Sequence, residues 1–153
     1  MNGGNLYVTK VDKPSTARRL TRSQLAGQDG DPAWSPEGRL IVFRRRTADG
    51  STGGNSDIYV IRADGKGTAK RLTSDPAIEQ DPSYSPSGRR IAFQSNRWTP
   101  VWPTAAIPRA WLMNSDGSDQ RLLWTRKALG RQVTRRGPKD SPNMPTPVSA
   151  LTS

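Results

Sequence analysis

The stretch Asp31-Pro32-Ala33-Trp34-Ser35-Pro36-Glu37-Gly38 returns 50 residues later as Asp81-Pro82-Ser83-Tyr84-Ser85-Pro86-Ser87-Gly88. Working outward, Leu40-Ile41-Val42-Phe43 is answered by Arg90-Ile91-Ala92-Phe93. Further on, Asp57-Ile58-Tyr59-Val60-Ile61, Asp64-Gly65 and Arg71-Leu72-Thr73 recur as Ala110-Trp111-Leu112-Met113, Asp116-Gly117 and Arg121-Leu122-Leu123. The second half of the same unit opens the chain, in Leu6-Tyr7-Val8, Asp12 and Arg19-Leu20-Thr21. The chain therefore holds half a repeat, two whole repeats and a tail.

Each repeat reads as four strands. Ala33 and Trp34 lead into Ser35-Pro36-Glu37-Gly38, where proline presets φ for the second turn position and glycine relieves the exit. The run Leu40 to Phe43 is apolar without alternation, which suits a strand covered on both faces. Ile58 to Ile61 is β-branched and aromatic and runs into Asp64-Gly65, which predicts a tight two-residue hairpin. The fourth strand, around Lys70 to Thr73, is polar, as an outer edge requires. Four antiparallel strands per period of this length, stacked face to face, predict an all-β chain: an incomplete β-propeller of four-stranded blades. The expected division is a half blade with linker at 1–29, blades at 30–80 and 81–124, and a basic, Pro-rich, disordered tail at 125–153.

These residues resemble the TolB-like, WD40-like family of PD40 repeats. The pattern is Asp-Pro-x-(Trp/Tyr)-Ser-Pro-x-Gly, then Ile-(Val/Ala)-Phe, a second aromatic strand, Asp-Gly and Arg-Leu-Thr, between Leu6 and Leu123. The resemblance implies propellers of six or more blades that bind other proteins, as TolB does in the cell-envelope Tol-Pal system. Similar propellers precede the catalytic domains of prolyl-oligopeptidase-like and tricorn-like peptidases. The departures are the other blades, the N-terminal domain of TolB and an export signal.

Composition narrows the chemistry. The chain has no histidine and no cysteine, which excludes imidazole bases, thiolate metal sites and a Ser-His-Asp triad. Hydrophobic residues make up 32% of its 153 residues, so the core is thin. No stretch is apolar enough to span a bilayer as a helix. The formal charge of +11 favours polyanions or acidic protein surfaces.

Several residues invite a functional reading beside a plainer one. Asp31 and Asp81 form a pair that suggests a cation site, while an aspartate before proline more often serves the turn of its own repeat. Trp34, Tyr84, Tyr59, Trp111, Phe43 and Phe93 read as packing between blades. Pro32, Pro36, Gly38, Asp64, Gly65, Pro82, Pro86, Gly88, Asp116 and Gly117 read as repeat architecture. Function is then expected where the repeats disagree. The connection Arg44 to Ser56, with Arg44, Arg45 and Arg46, and the connection Gln94 to Pro108, leading to Arg109, are expected on one face of the disc. With Arg97, Trp98 and Trp102 they combine arginine with tryptophan, the composition of a protein-binding hot spot or of a surface that stacks on nucleic acid. The opposing reading is solvated arginines beside tryptophans folded onto the blade edge.

The expected function is a non-enzymatic protein-interaction scaffold without a cofactor, whose partner is another protein. Self-association that completes the propeller is a further expectation. The alternatives are the substrate-gating propeller of a serine peptidase, and weak polyanion binding by the arginine loop and tail. The sequence leaves the compartment open.

Overall fold

The computed structural model describes residues 4–22, 29–47, 54–98 and 107–123. All elements among them are strands: β1 (Tyr7–Lys10), β2 (Lys13–Arg19), β3 (Asp29–Trp34), β4 (Leu40–Thr47), β5 (Asn55–Arg62), β6 (Lys70–Arg71), β7 (Glu79–Tyr84), β8 (Arg90–Ser95), β9 (Arg109–Asn114) and β10 (Arg121–Leu122). They form a two-stranded sheet, β1-β2, and two four-stranded antiparallel sheets, β3-β4-β5-β6 and β7-β8-β9-β10. The expected tail lies outside the described residues.

Blade one begins with the Asp-Pro strand. Asp31 and Asp81 sit in the left-handed region, at φ of 52° and 51°, where the register of β3 against β4 and of β7 against β8 shifts. These are β-bulges inside the inner strands, and short polar aspartate tolerates that conformation better than a branched residue. The following turn closes through Gly38 N–H to Ser35 C=O at 2.9 Å, with Gly38 at φ 70°. The Ser35 hydroxyl accepts the Leu40 N–H at 3.0 Å.

The apolar run Leu40 to Phe43 divides its side chains between two neighbours, because strand residues alternate in direction. Ile41 and Phe43, with Ile61, meet Leu6 and Leu20 of the half blade. Val42 and Ile58 meet Ile91, Phe93, Trp111 and Met113 of the second blade. Phe43, Val42, Ile58 and Ile91 are fully buried. A fully buried side chain of this kind contributes about 1.5–3 kcal/mol, so the two interblade layers hold the stack together.

The outer turns latch each blade to the one before it. Arg18 of β2 donates to the carbonyls of Asp64 at 2.6 Å and Ala63 at 2.9 Å. Lys70 of β6 donates to the Asp116 carbonyl at 3.2 Å. A cation at the same register of successive outer strands thus holds the next Asp-Gly turn.

Three expectations need correction. The Asp64-Gly65 connection is no two-residue hairpin, since Gly65 N–H bonds to Arg62 C=O at 3.0 Å and, of the pair, only Gly65 has positive φ; a two-residue type I′ turn requires it at both central residues. The Arg121-Leu122-Leu123 match to Arg71-Leu72-Thr73 slips by one. Leu122 stands opposite Trp111, as Arg71 stands opposite Tyr59, because the second blade has a shorter outer turn. Trp34 is not packed between blades: it is 53% exposed, whereas Tyr84 at the same repeat position packs against the core. The unit in front of Trp34 is two strands wide among the described residues, so no inner strands cover its ring.

Candidate functional site

The arginines expected in a loop are in a strand. Arg44, Arg45 and Arg46 belong to β4 and pair with Ile58, Asp57 and Ser56 of β5. Arg44 reaches Asp31, Nε to Oδ2, at 2.6 Å. Arg45 grips Asp29 through two bonds of 2.6 and 2.9 Å, and Asp29 has a fully buried side chain. The Arg45 guanidinium lies 5.3 Å from the Phe43 ring and 4.9 Å from the Tyr59 ring, within cation–π range. Its hydrogen bonds to Asp29 are the main cause of a pKa raised above the usual arginine value.

The second blade builds the same node from another position. Glu79 replaces Asp29, with its side chain fully buried and bonded to Arg97. The Arg97 guanidinium stands 5.5 Å from Phe93 and 4.4 Å from Trp111. Yet Arg45 is two residues after its phenylalanine and Arg97 four after its own. Ser95 takes the register of Arg45, and its hydroxyl accepts from Arg97 Nε at 3.2 Å. Burial is the chief influence on Arg97 and lowers its pKa, against the carboxylates of Asp75 and Asp57. Gln120 accepts from Arg97 at 3.0 Å and donates to the Leu72 carbonyl at 3.1 Å, which joins the node to blade one.

Asp57 lies close by. Its side chain is fully buried and Arg71 donates to it at 2.7 Å. Burial raises its pKa, and Arg71 opposes that shift. Asp57 Oδ1 and Glu79 Oε2 are buried without a hydrogen-bond partner.

Of the expected hot-spot residues, Arg44, Arg45 and Arg97 are thus engaged with internal carboxylates. Arg109 is half buried in β9, and Trp102 lies outside the described residues. Arg46 is exposed, with its guanidinium over Gly54, and Trp98 is 61% exposed. The structure adds Ile107, 63% exposed, which lies just before β9 as Trp98 lies just after β8. The pairing of Ser95 with Arg109 brings those strand ends together.

Asp31 and Asp81, the pair expected as a candidate cation site, face each other across the bulges of β3 and β7. Asp31 is neutralised by Arg44, and it also meets the Asp81 N–H at 3.5 Å. No group of three or more Asp, Glu, His or Cys able to hold a metal occurs among the described residues. Sequence reasoning missed Asp29 and Glu79, although each precedes its repeat phenylalanine, Phe43 or Phe93, by 14 residues.

Comparison with known proteins agrees with this architecture. A protein TolB homolog of Chlorobium luteolum is 35% identical over 81 residues, 53% of this chain and 17% of that protein. A solved TolB structure from Agrobacterium tumefaciens superposes with a TM-score of 0.61 at 27% identity, covering 78% of this chain and 40% of that one. The tricorn protease superposes with a TM-score of 0.57 at 13% identity over 74% of this chain and 12% of its own, a likeness of fold alone. This chain spans less than half the length of each. The family description for the TolB β-propeller domain, PD40, matches residues 2–125, and with its bulged Asp-Pro strands and stacked four-stranded blades the chain belongs to that family.

Proposed function

We propose that the chain is a non-enzymatic protein-interaction unit of a TolB-like propeller, meeting its partner at the end that bears Trp98, Ile107 and Arg46. The observation that carries this reading is the survival of two large apolar side chains, 61% and 63% exposed, at one strand end. Single exposed apolar residues are ordinary on protein surfaces. A tryptophan and an isoleucine flanking one connection, with an arginine on the neighbouring blade, match the composition of interface anchors. Kinship with TolB supports a protein partner. The likeness to a protease propeller concerns the fold, so the peptidase reading gains no residue-level support from it.

The test is a photo-crosslinking side chain placed at position 98 and, as reference, at Ser15 on the exposed outer strand β2, in cells of the source organism. Adducts should concentrate at position 98 and fall at least fivefold when Ile107→Ser is added. Equal labelling at both positions would reject the site.

A further inference from the structure

We propose that the groove between β2 and the outer turn of blade one is a receptor for the side-chain carboxamide of a glutamine carried by a partner polypeptide. This deepens the interaction-unit reading and rests on it, but uses a different surface from Trp98 and Ile107. The next joint along the chain displays the occupied form. There Gln120 sets its own carboxamide between blade one and blade two. Its oxygen accepts from Arg97 at 3.0 Å, and its nitrogen donates to the carbonyls of Leu72 at 3.1 Å and Gly117 at 3.0 Å.

Backbone register carries these groups over to the joint before it. Leu122 stands opposite Trp111 as Arg71 stands opposite Tyr59, so Gln120 and Ala69, each two residues earlier, hold the same place. Leu72 N–H donates to the Ile58 carbonyl as Leu20 N–H donates to the Leu6 carbonyl, and Gly117 N–H closes on Asn114 as Gly65 N–H closes on Arg62. Arg45 lies over the Tyr59 ring as Arg97 lies over the Trp111 ring. The counterparts Arg45, Leu20, Gly65 and Ala69 all line one groove of about 400 Å³. The side chain that fills the second joint is thus missing from the first, because alanine is too short to reach.

One donor beside two acceptors selects the ligand. Arg45 commits Nε and Nη2 to Asp29, and a guanidinium has further N–H groups to give. A primary carboxamide offers an accepting oxygen and two N–H donors, which match Arg45 and the two carbonyls. A carboxylate only accepts, so it would meet the carbonyls of Leu20 and Gly65 with nothing to donate. The groove exceeds the volume of an amide group and leaves room for the chain that carries it.

The probe is N-acetyl-glutamine methylamide, added to the full chain and followed by NMR at the Arg45 Nε–H and the Gly65 and Gly67 amides. Saturable shifts at these groups are expected, with the corresponding glutamate probe weaker by about tenfold or more. Ala69→Gln supplies the missing side chain within the chain itself, and should abolish the shifts while holding or raising the urea midpoint. Trp98→Ser should leave binding unchanged, so failure of the groove and failure of the crosslinking site are read separately. No saturable shift, glutamate or acetamide binding as tightly as the glutamine probe, or a folded Ala69→Gln chain that still binds would overturn the proposal.

Discussion

At the scale of single residues, the decisive interactions are carboxylates that the fold has removed from water. Glu79 is buried with Arg97 as its cation, and removing one partner of such a pair leaves a charge stranded in a medium that solvates it poorly. Arg97→Ala should cost about 3–5 kcal/mol, measured by urea denaturation. Arg44→Ala removes a half-exposed pair with Asp31 and should cost less than about 1 kcal/mol. Asp57 gives a pH signature. Below its ordinary value near 3.8, folded and unfolded chains both hold its proton. Between that pH and the raised folded value only the folded chain does, so stability falls as pH rises; above the folded value the slope disappears. Asp57→Asn removes this term and leaves the opposite contribution of Asp116, whose pKa is lowered by the Ser118 hydroxyl and amide, in both proteins. The native chain should therefore lose stability relative to Asp57→Asn as the pH is raised from 4.5 to 7, read from urea midpoints.

Among elements, the turns show what sequence conveys and what it withholds. Pro36 and Gly38 fix a turn whose conformation follows from local preference, so it was legible. The loop placement of Arg44 to Arg46 failed because three arginines look like a solvated run. Each instead faces a carboxylate or a backbone partner set by cross-strand register, and register is a tertiary property. The slip of β10 likewise depends on the length of the turn before it. Two turn glycines at positive φ differ. A Cβ at Gly38 would meet nothing within 4 Å, whereas at Gly117, with φ of 97°, it would lie 2.8 Å from the Leu72 carbonyl oxygen of the preceding blade. Gly38→Ala should cost about 1 kcal/mol from backbone conformation alone. Gly117→Ala should cost clearly more and loosen the joint between blades, seen as faster hydrogen exchange at Leu72.

For the molecule as a whole, repetition made the architecture readable and obscured the site. Phe43 and Phe93 announce equivalent blades, yet the cation above each ring comes from a different place along its strand, Arg45 in one and Arg97 in the other. The two blades therefore keep a position in space while changing its address in sequence. That difference restricts recombination between them. A chimera that follows blade one through Arg45 and then continues from Asn96 carries both guanidiniums against one carboxylate. The reciprocal chimera, blade two through Ser95 and then Arg46-Thr47, carries neither and leaves Glu79 bare. Gene conversion with a crossover inside this short interval should yield one crowded blade and one that does not fold, while crossovers in the turn before Leu40 or Arg90 leave each blade one carboxylate and one guanidinium.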